Sequence, residues 1–208
     1  MTRSIEIIWE NYKSHLRDNM KTYYLILFFT IFGFCLGIYL SLTGYKITSL
    51  LVTNDKLLFD YITGTASYIS IFYSRMKTML IAVVIILFCN LTYYTAFINY
   101  IYLTYQSALI VLSCGGIISL YRLSGILNVI FFIIPINLLT LLSISFLIVV
   151  SLERSRNAYK FKIPFRDSFN QLNYYSKFGY GMLLMLVNII FASLVLPLLM
   201  RSLTIIIF

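Results

Sequence analysis

The sequence predicts an all-α polytopic membrane bundle with five transmembrane helices and short interfacial helices. Of the 208 residues, 61% are hydrophobic and only 11% are charged, which leaves little material for a soluble domain. The hydrophobic residues form runs of about 20, the number of helical residues that crosses roughly 30 Å of hydrocarbon. Such runs must be helices unless they close into a barrel, because a bilayer offers no water to backbone groups. We therefore predict a single integral membrane domain over residues 1–208.

The first transmembrane helix is predicted at residues 23–42. The polar leader 1–21 has apolar residues at helical spacing, which favours an amphipathic helix on the membrane surface. Gly33 and Gly37 form a Gly-x-x-x-Gly pair inside the span, and such pairs let helix backbones approach closely. We interpret this pair as a helix contact inside the protein, with homo-oligomer formation as the alternative.

Residues 43–77 form the only sizeable connection on the predicted outer side. Its apolar residues recur at helical spacing, which indicates one or two short helices resting on the outer leaflet. The functional alternative is a platform for a protein partner, because aromatic residues anchor many protein interfaces. The candidate partner-binding residues are Tyr61, Tyr68, Phe72 and Tyr73.

The second and third helices are predicted at residues 79–98 and 101–120. The apolar stretch is too long for one span, and the tyrosine-rich segment 92–105 is the expected turn because tyrosine favours the headgroup level. The fourth helix is predicted at residues 126–150. Only a short polar break separates it from the third helix, so these two must form an antiparallel hairpin.

The hairpin carries small and helix-breaking residues that we assign to helix packing. Gly115, Gly116 and Gly125 allow a neighbouring backbone to approach closely. Pro135 removes a backbone hydrogen bond and is expected to kink its helix. Asn137 could satisfy the freed carbonyl or bond to another helix. A ligand or ion site here is the alternative.

A basic cytoplasmic loop at residues 151–177 and a fifth helix at residues 178–200 complete the predicted topology. Ten of the 16 Lys and Arg residues then fall on the side of the N-terminus, which predicts a cytoplasmic N-terminus in the cell membrane. The positive charge is therefore assigned to orientation, and no nucleic-acid partner is expected. Membrane lipids are the expected surroundings.

The residue types needed for chemistry are scarce in the predicted spans. All seven Asp and Glu residues lie outside them, and the single histidine, His15, precedes the first span. The three cysteines lie inside apolar runs, which predicts neither a disulfide framework nor a zinc site. We therefore expect no metal, no cofactor and no catalytic residue, and we predict that the protein is not an enzyme.

Three stretches resemble a known family. The segment NYKSHLRDNMKTYYLILFFTIFGFCLGIYL looks like a basic leader running into a glycine-containing first span. The segment SCGGIISLYRLSGILNVIFFIIPINLLTLLSISFLIVVSLER is similar to a Gly-rich span, a short Gly turn and a span with Pro-x-Asn-Leu. SLVLPLLM resembles a Pro-containing last span. Together, and in this order, they resemble the stage II sporulation protein M family of endospore-forming bacteria. Ser107 and Val111 stand where the family pattern has further glycines.

This resemblance implies a function without catalysis. The expected protein is a membrane scaffold that recruits peptidoglycan-remodelling hydrolases, stage II sporulation proteins D and P, during forespore engulfment. Its expected place is the mother-cell or septal membrane. The alternative is a permease-like subunit of a peptide or small-molecule export or immunity system. Sporulation-specific transcription would favour the scaffold, and a neighbouring ATPase gene would favour export.

Overall fold

The protein is a multi-pass membrane protein built from helices. The structure, a computed structural model, describes residues 15, 17–43, 67–89, 94–161, 174–195, 197 and 198. These residues contain no strand, and they form five helices that are long and apolar enough to cross a membrane. The prediction of an all-α bundle with five transmembrane helices is therefore confirmed.

Five long helices account for most of the described chain. The five long helices are α1 at Met20–Leu42, α2 at Tyr68–Cys89, α3 at Ile98–Asn128, α4 at Ile134–Phe161 and α5 at Tyr174–Ile190. A 3₁₀ turn at Tyr94–Phe97 leads into α3. Two π-helical segments, Val129–Ile133 and Phe191–Val195, precede α4 and follow α5.

The second helix begins earlier than predicted. The predicted span 79–98 is wrong, because α2 runs over Tyr68–Cys89. Residues 79–89 alone would reach only about 16 Å at 1.5 Å per residue, roughly half the hydrocarbon thickness. Residues 68–77 must therefore contribute to the span, and they do not form separate short helices on the leaflet. The earlier part of the predicted outer loop, including Tyr61, lies outside the described residues.

Three other boundaries also differ from the prediction. The third candidate span is Thr95–Ser119 and starts before the predicted residue 101. The fourth is Gly125–Asn157, and its helix continues to Phe161, so the beginning of the predicted basic loop 151–177 is helical. Polar side chains lower hydropathy, but they do not prevent a helix from continuing into water. The fifth helix begins at Tyr174. Its predicted end at residue 200 lies outside the described residues.

Helix α4 is the centre of the bundle. Of the apolar window in its span, 61% is buried inside the protein, compared with 17% in α1. Its side chains Ile144, Leu147, Ile148 and Val149 are almost completely buried. Helix α1 is peripheral, and most of its apolar side chains point outward, where lipid surrounds the bundle.

The two glycines of α1 lie directly against α3. A Cβ atom built on Gly33 would lie 2.5 Å from the backbone oxygen of Thr104 and 2.7 Å from Ser107 Cβ. On Gly37 it would lie 2.7 Å from the backbone oxygen of Ala108 and 2.8 Å from Val111 Cβ. The contact continues one turn further, because a Cβ on Gly115 would lie 2.7 Å from Ser41 Oγ. Residue numbers rise together along the contact, so α1 and α3 are parallel.

In the first two turns of this contact, the glycines of α1 face residues of α3 that carry side chains. Ser107 and Val111 are the side chains that face Gly33 and Gly37. The hydroxyl of Thr104 donates to the backbone oxygen of Tyr100 on its own helix at 2.9 Å, and it also lies 3.3 Å from the backbone oxygen of Phe29 on α1. Gly33 and Gly37 on α1, and Gly115 on α3 one turn further, each remove a side chain where the two helices approach closely.

The chain reverses at Arg122, within the predicted break at residues 121–125. Arg122 has a φ of 50°, and it is the single non-glycine residue with positive φ in the part of the chain that the structure describes. A Cβ on Gly125 would lie 2.7 Å from the backbone oxygen of Ile117, so glycine is needed where the chain folds back. Gly116 is buried on the same arm of the hairpin. We call this end of the bundle the turn end, and the opposite end, at Glu153, the Glu153 end.

Pro135 lies at the start of α4, directly after the π-helical segment. The N–H of Ile134 donates to the backbone oxygen of Val129, five residues earlier, which is the wider π-type spacing. Proline lacks an N–H group, and the wide turn accommodates this loss without ending the helix. Pro135 points outward, whereas Asn137 is 6% exposed and points into the bundle. The two residues therefore serve different faces of α4.

The predicted orientation can be tested at two exposed positions. We replace Leu123 at the turn or Tyr159 near the end of α4 by cysteine, in a variant without the native cysteines; both side chains are exposed. If the Glu153 end is cytoplasmic, an impermeant maleimide labels position 123 in intact cells and position 159 only after lysis. The opposite labelling pattern would mean that the N-terminus lies outside. Arg75 and Lys77 belong to the span of α2 and no longer count toward the outer loops. The excess of Lys and Arg on the side of the N-terminus is therefore larger than predicted.

Candidate functional site

The strongest candidate site surrounds Arg75, a charged residue inside the bundle. Arg75 is only 5% exposed, although it belongs to the span Tyr68–Cys89. It lies on the inward face of α2 with Ile71 and Met79, four residues before and after it. The sequence prediction had placed it in the outer loop. Charged residues at such positions are rare in membrane helices, and they usually mark sites for ligands, ions or protons.

Arg75 lines a cavity of about 40 Å³ between α2, α3 and α4. The walls include apolar side chains such as Leu109 and Ile144. The polar side chains that line it with Arg75 are Thr78, Gln106, Asn137 and Thr140. No carboxylate belongs to this lining among the residues that the structure describes. Within the described structure, the lining therefore combines the guanidinium of Arg75 with neutral hydrogen-bonding groups.

Hydrogen bonds fix most of these polar groups. Gln106 Nε2 donates to the hydroxyl of Tyr102 at 2.9 Å, and Asn188 Nδ2 donates to Thr140 Oγ1 at 2.8 Å, joining α5 to α4. The hydroxyl of Thr140 donates to the backbone oxygen of Ile136 at 3.0 Å. The Nδ2 group of buried Asn137 has no hydrogen-bond partner within the described part of the chain. A buried hydrogen-bond donor without a partner in the described structure therefore lies beside the cavity.

A second charged cluster lies at the Glu153 end. Lys177 Nζ on α5 is 3.0 Å and 3.2 Å from the two carboxylate oxygens of Glu153 on α4. His15 Nδ1 is 3.2 Å from Glu153 Oε2, and the histidine is 6% exposed. At the same end of the bundle, Arg156 Nη2 donates to Thr22 Oγ1 on α1 at 3.4 Å. The cluster joins three parts of the chain, so we assign it to holding the bundle together.

The predicted partner-binding residues lie on a membrane helix. Tyr68, Phe72 and Tyr73 occupy the first two turns of α2. Phe72 and Tyr73 are exposed, at 39% and 71%, whereas Tyr68 is partly buried. The structure therefore presents two of these aromatic side chains on the outer surface of the bundle. Tyr61 lies outside the described residues.

One residue that we assigned to helix packing, Asn137, also lines the cavity. Of the residues assigned to helix packing, Gly33, Gly37 and Gly115 lie in the α1–α3 contact, and Asn137 lines the cavity. The sequence analysis did not predict that Arg75 is buried in a membrane span and lines the cavity. The signal was present in the spacing of Ile71, Arg75 and Met79, which puts the arginine on an apolar stripe. Within the described ranges, no group of three His, Cys, Asp or Glu side chains could hold a metal ion.

Comparisons of the chain with protein-family models, with curated proteins and with solved structures gave no match.

Proposed function

We propose that this protein is a non-enzymatic scaffold in the cell membrane that recruits or anchors peptidoglycan-remodelling hydrolases during forespore engulfment. The resemblance to the stage II sporulation protein M family suggests this function and the mother-cell or septal membrane as its place. The structural observation that supports it is the outward face at the start of α2. There Ile69, Phe72 and Tyr73 are 80%, 39% and 71% exposed.

The position of this face suits a partner that works on the cell wall. If the Glu153 end is cytoplasmic, the start of α2 lies at the outer headgroup level, next to the space that holds peptidoglycan. Aromatic side chains usually carry a large share of the energy of a protein interface. A partner anchored in the same membrane has a high local concentration, so a small contact is sufficient.

Replacing Phe72 and Tyr73 together by serine is the variant that tests the scaffold. We expect it to release the hydrolase partners, resembling stage II sporulation proteins D and P, while the protein remains inserted and abundant. Loss of both aromatic anchors should lower the co-purified hydrolase at least tenfold, since interface anchors commonly contribute about 2 kcal/mol or more each. The measurement is quantitative co-purification from membranes of sporulating cells.

A matched control separates a lost partner from altered lipid contact. Tyr24 and Phe28 on α1 are 61% and 62% exposed, and their double serine variant changes a similar aromatic surface on another helix. The control should retain the hydrolases at the wild-type level. Full retention by the Phe72 and Tyr73 variant would exclude this face as the platform. Release of peptidoglycan fragments by the purified protein alone would contradict the scaffold function itself.

The alternative is a permease-like subunit of an export or immunity system, and the buried Arg75 favours it. A cation on a spanning helix, next to hydrogen-bonding side chains, is typical of proteins that bind a solute within the membrane. This function predicts a stable complex with an ATPase in native membranes. It also predicts loss of export, with hydrolase binding unchanged, when Arg75 is replaced by glutamine.

A further inference from the structure

We propose that the start of α1, at the Glu153 end of the bundle, is a binding site for an anionic phospholipid. Two basic side chains from different helices lie at Thr22. Arg156 of α4 is exposed, and its Nη2 donates to Thr22 Oγ1 at 3.4 Å. Lys21 is exposed as well and directly precedes Thr22 in the chain. The site does not depend on the scaffold function, because it uses another helix and the opposite end of the bundle.

The contact with Thr22 sets the depth of Arg156 in the membrane. The span of α1 begins at Met20 and has 23 residues, about 35 Å, which is close to the roughly 30 Å of the hydrocarbon layer. Lys21 and Thr22 therefore lie at the boundary between hydrocarbon and headgroups. Because Arg156 reaches Thr22, its guanidinium lies at this boundary too, although α4 continues to Phe161. Both basic groups are at the level of the lipid phosphates.

The guanidinium of Arg156 can bind a phosphate while it keeps its contact with Thr22. A guanidinium has five N–H donors in one plane, and the described hydrogen bond to Thr22 uses one of them. Arginine binds phosphate oxygens through two parallel N–H bonds, whereas lysine attracts them as a point charge. Arg156 therefore supplies the geometry of the site, and Lys21 supplies a second positive charge.

An exposed apolar stripe on α1 continues from Lys21 toward the middle of the membrane. Leu25 and Phe28 lie four and seven residues after Lys21, so all three side chains share one face of the helix. Leu25 is 48% exposed and Phe28 is 62% exposed. A phospholipid with its phosphate at Lys21 would place an acyl chain along this stripe. A soluble phosphate would gain nothing from it, so the stripe favours a lipid.

The described carboxylates at this end leave the site positive. Glu153 already accepts from two basic side chains. Asp18 is exposed and lies four residues before Thr22, so it opposes the binding of an anion. Arg17, the residue before it, is also exposed and offsets that charge. Together with Lys21 and Arg156, these three cations and one carboxylate carry a net charge of +2, which attracts a lipid phosphate with one negative charge.

Native mass spectrometry of the full-length protein in detergent tests the site. Phosphatidylglycerol and phosphatidylcholine with the same acyl chains are added at equal concentration, and we expect the wild type to prefer phosphatidylglycerol at least tenfold. Lys21→Gln and Arg156→Gln should each lower this affinity about fivefold, the contribution of one basic residue near an anionic membrane surface. Both should leave the affinity for phosphatidylcholine unchanged. Lys77→Gln, which removes an exposed charge from α2, should bind both lipids like the wild type.

Asp18→Asn tests the site in the opposite direction. It removes the opposing carboxylate, so we expect it to bind phosphatidylglycerol more tightly than the wild type does. Equal binding of the two lipids by the wild type would show that the proposal is wrong. Wild-type affinity in Lys21→Gln and Arg156→Gln, or in Asp18→Asn, would place the headgroup elsewhere and refute the site. Displacement of the lipid by inorganic phosphate would assign the basic groups to a soluble anion and overturn the lipid site.

Discussion

Replacing Gly33 and Gly37 together by alanine is expected to lower the free energy of unfolding by about 2–6 kcal/mol. The added methyl groups would meet backbone oxygens of Thr104 and Ala108 at 2.5 Å and 2.7 Å, and real Cβ atoms do not approach so closely. A backbone oxygen cannot turn aside like the end of a side chain, so α1 has to move away from α3. Overpacking of this kind costs about 1–3 kcal/mol at each site. The measurement is denaturant-induced unfolding of the purified protein in mixed micelles.

Gly179 provides the matched control, because it is a helical glycine with open space around it. A Cβ on Gly179 has no neighbour within 4 Å. Gly179→Ala should therefore be neutral or should stabilise the protein by up to about 1 kcal/mol, since alanine favours helix more than glycine does. The two alanine changes in α1 bring the same gain in helix propensity, so a loss of stability there shows that the steric cost is larger than this gain. If the double variant keeps wild-type stability but loses an oligomer, the glycines serve contacts between copies, and the contact inside the chain is not limiting.

Glu153→Leu is expected to cost about 2–3 kcal/mol, because it leaves two basic side chains without their shared carboxylate. Glu153 accepts from Lys177 and His15, and it joins the start of α5 and the residues before α1 to α4. Breaking a fully buried ion pair costs about 3–5 kcal/mol. The Glu153 side chain is 25% exposed, so water compensates part of the loss. Unfolding in mixed micelles again gives the free-energy change.

Two comparisons attribute this loss to the charge cluster. Asp18→Asn removes an exposed carboxylate and should change stability by less than about 0.5 kcal/mol. Lys177→Met alone should be destabilising, and the double variant with Glu153→Leu should lose less than the sum of the two single changes. Strict additivity would show that the two side chains contribute independently, which contradicts the bridging role of Glu153.

The fold was predictable because the membrane sets the minimum length of each spanning helix. Any run of about 20 apolar residues has to be a helix there, whatever its neighbours are. The helix ends were less predictable. Arg75 and Lys77 made residues 68–77 look like a surface segment, but α2 needs these residues in order to cross the bilayer. Hydropathy averages over a helix, so it cannot show that one cation faces inward while the next faces outward.

The sequence predicted which face of a helix packs closely, but it did not predict which helix packs against that face. The spacing of Gly33 and Gly37 defines one side of α1, and nothing in that spacing identifies α3 as the helix that it meets. The cavity was even less predictable from the sequence. Arg75, Gln106 and Asn137 are separated by about 30 residues each along the sequence, and only the arrangement of three helices brings them together. Such a site requires knowledge of which helices are neighbours.

The length of the fourth span has a consequence for how the protein is seated in its bilayer. Gly125–Asn157 comprises 33 residues, about 50 Å at 1.5 Å per residue, whereas the hydrocarbon layer is about 30 Å thick. Tilt alone would have to exceed about 50°, beyond the range of roughly 0–40° that membrane helices adopt. About 20 Å of helix length therefore exceeds what the layer requires, and an upright helix would project as a rigid rod. The other four spans, of 22 to 25 residues, match the layer closely. They set the depth of the protein by hydrophobic matching, so a thicker bilayer would shorten the projecting rod.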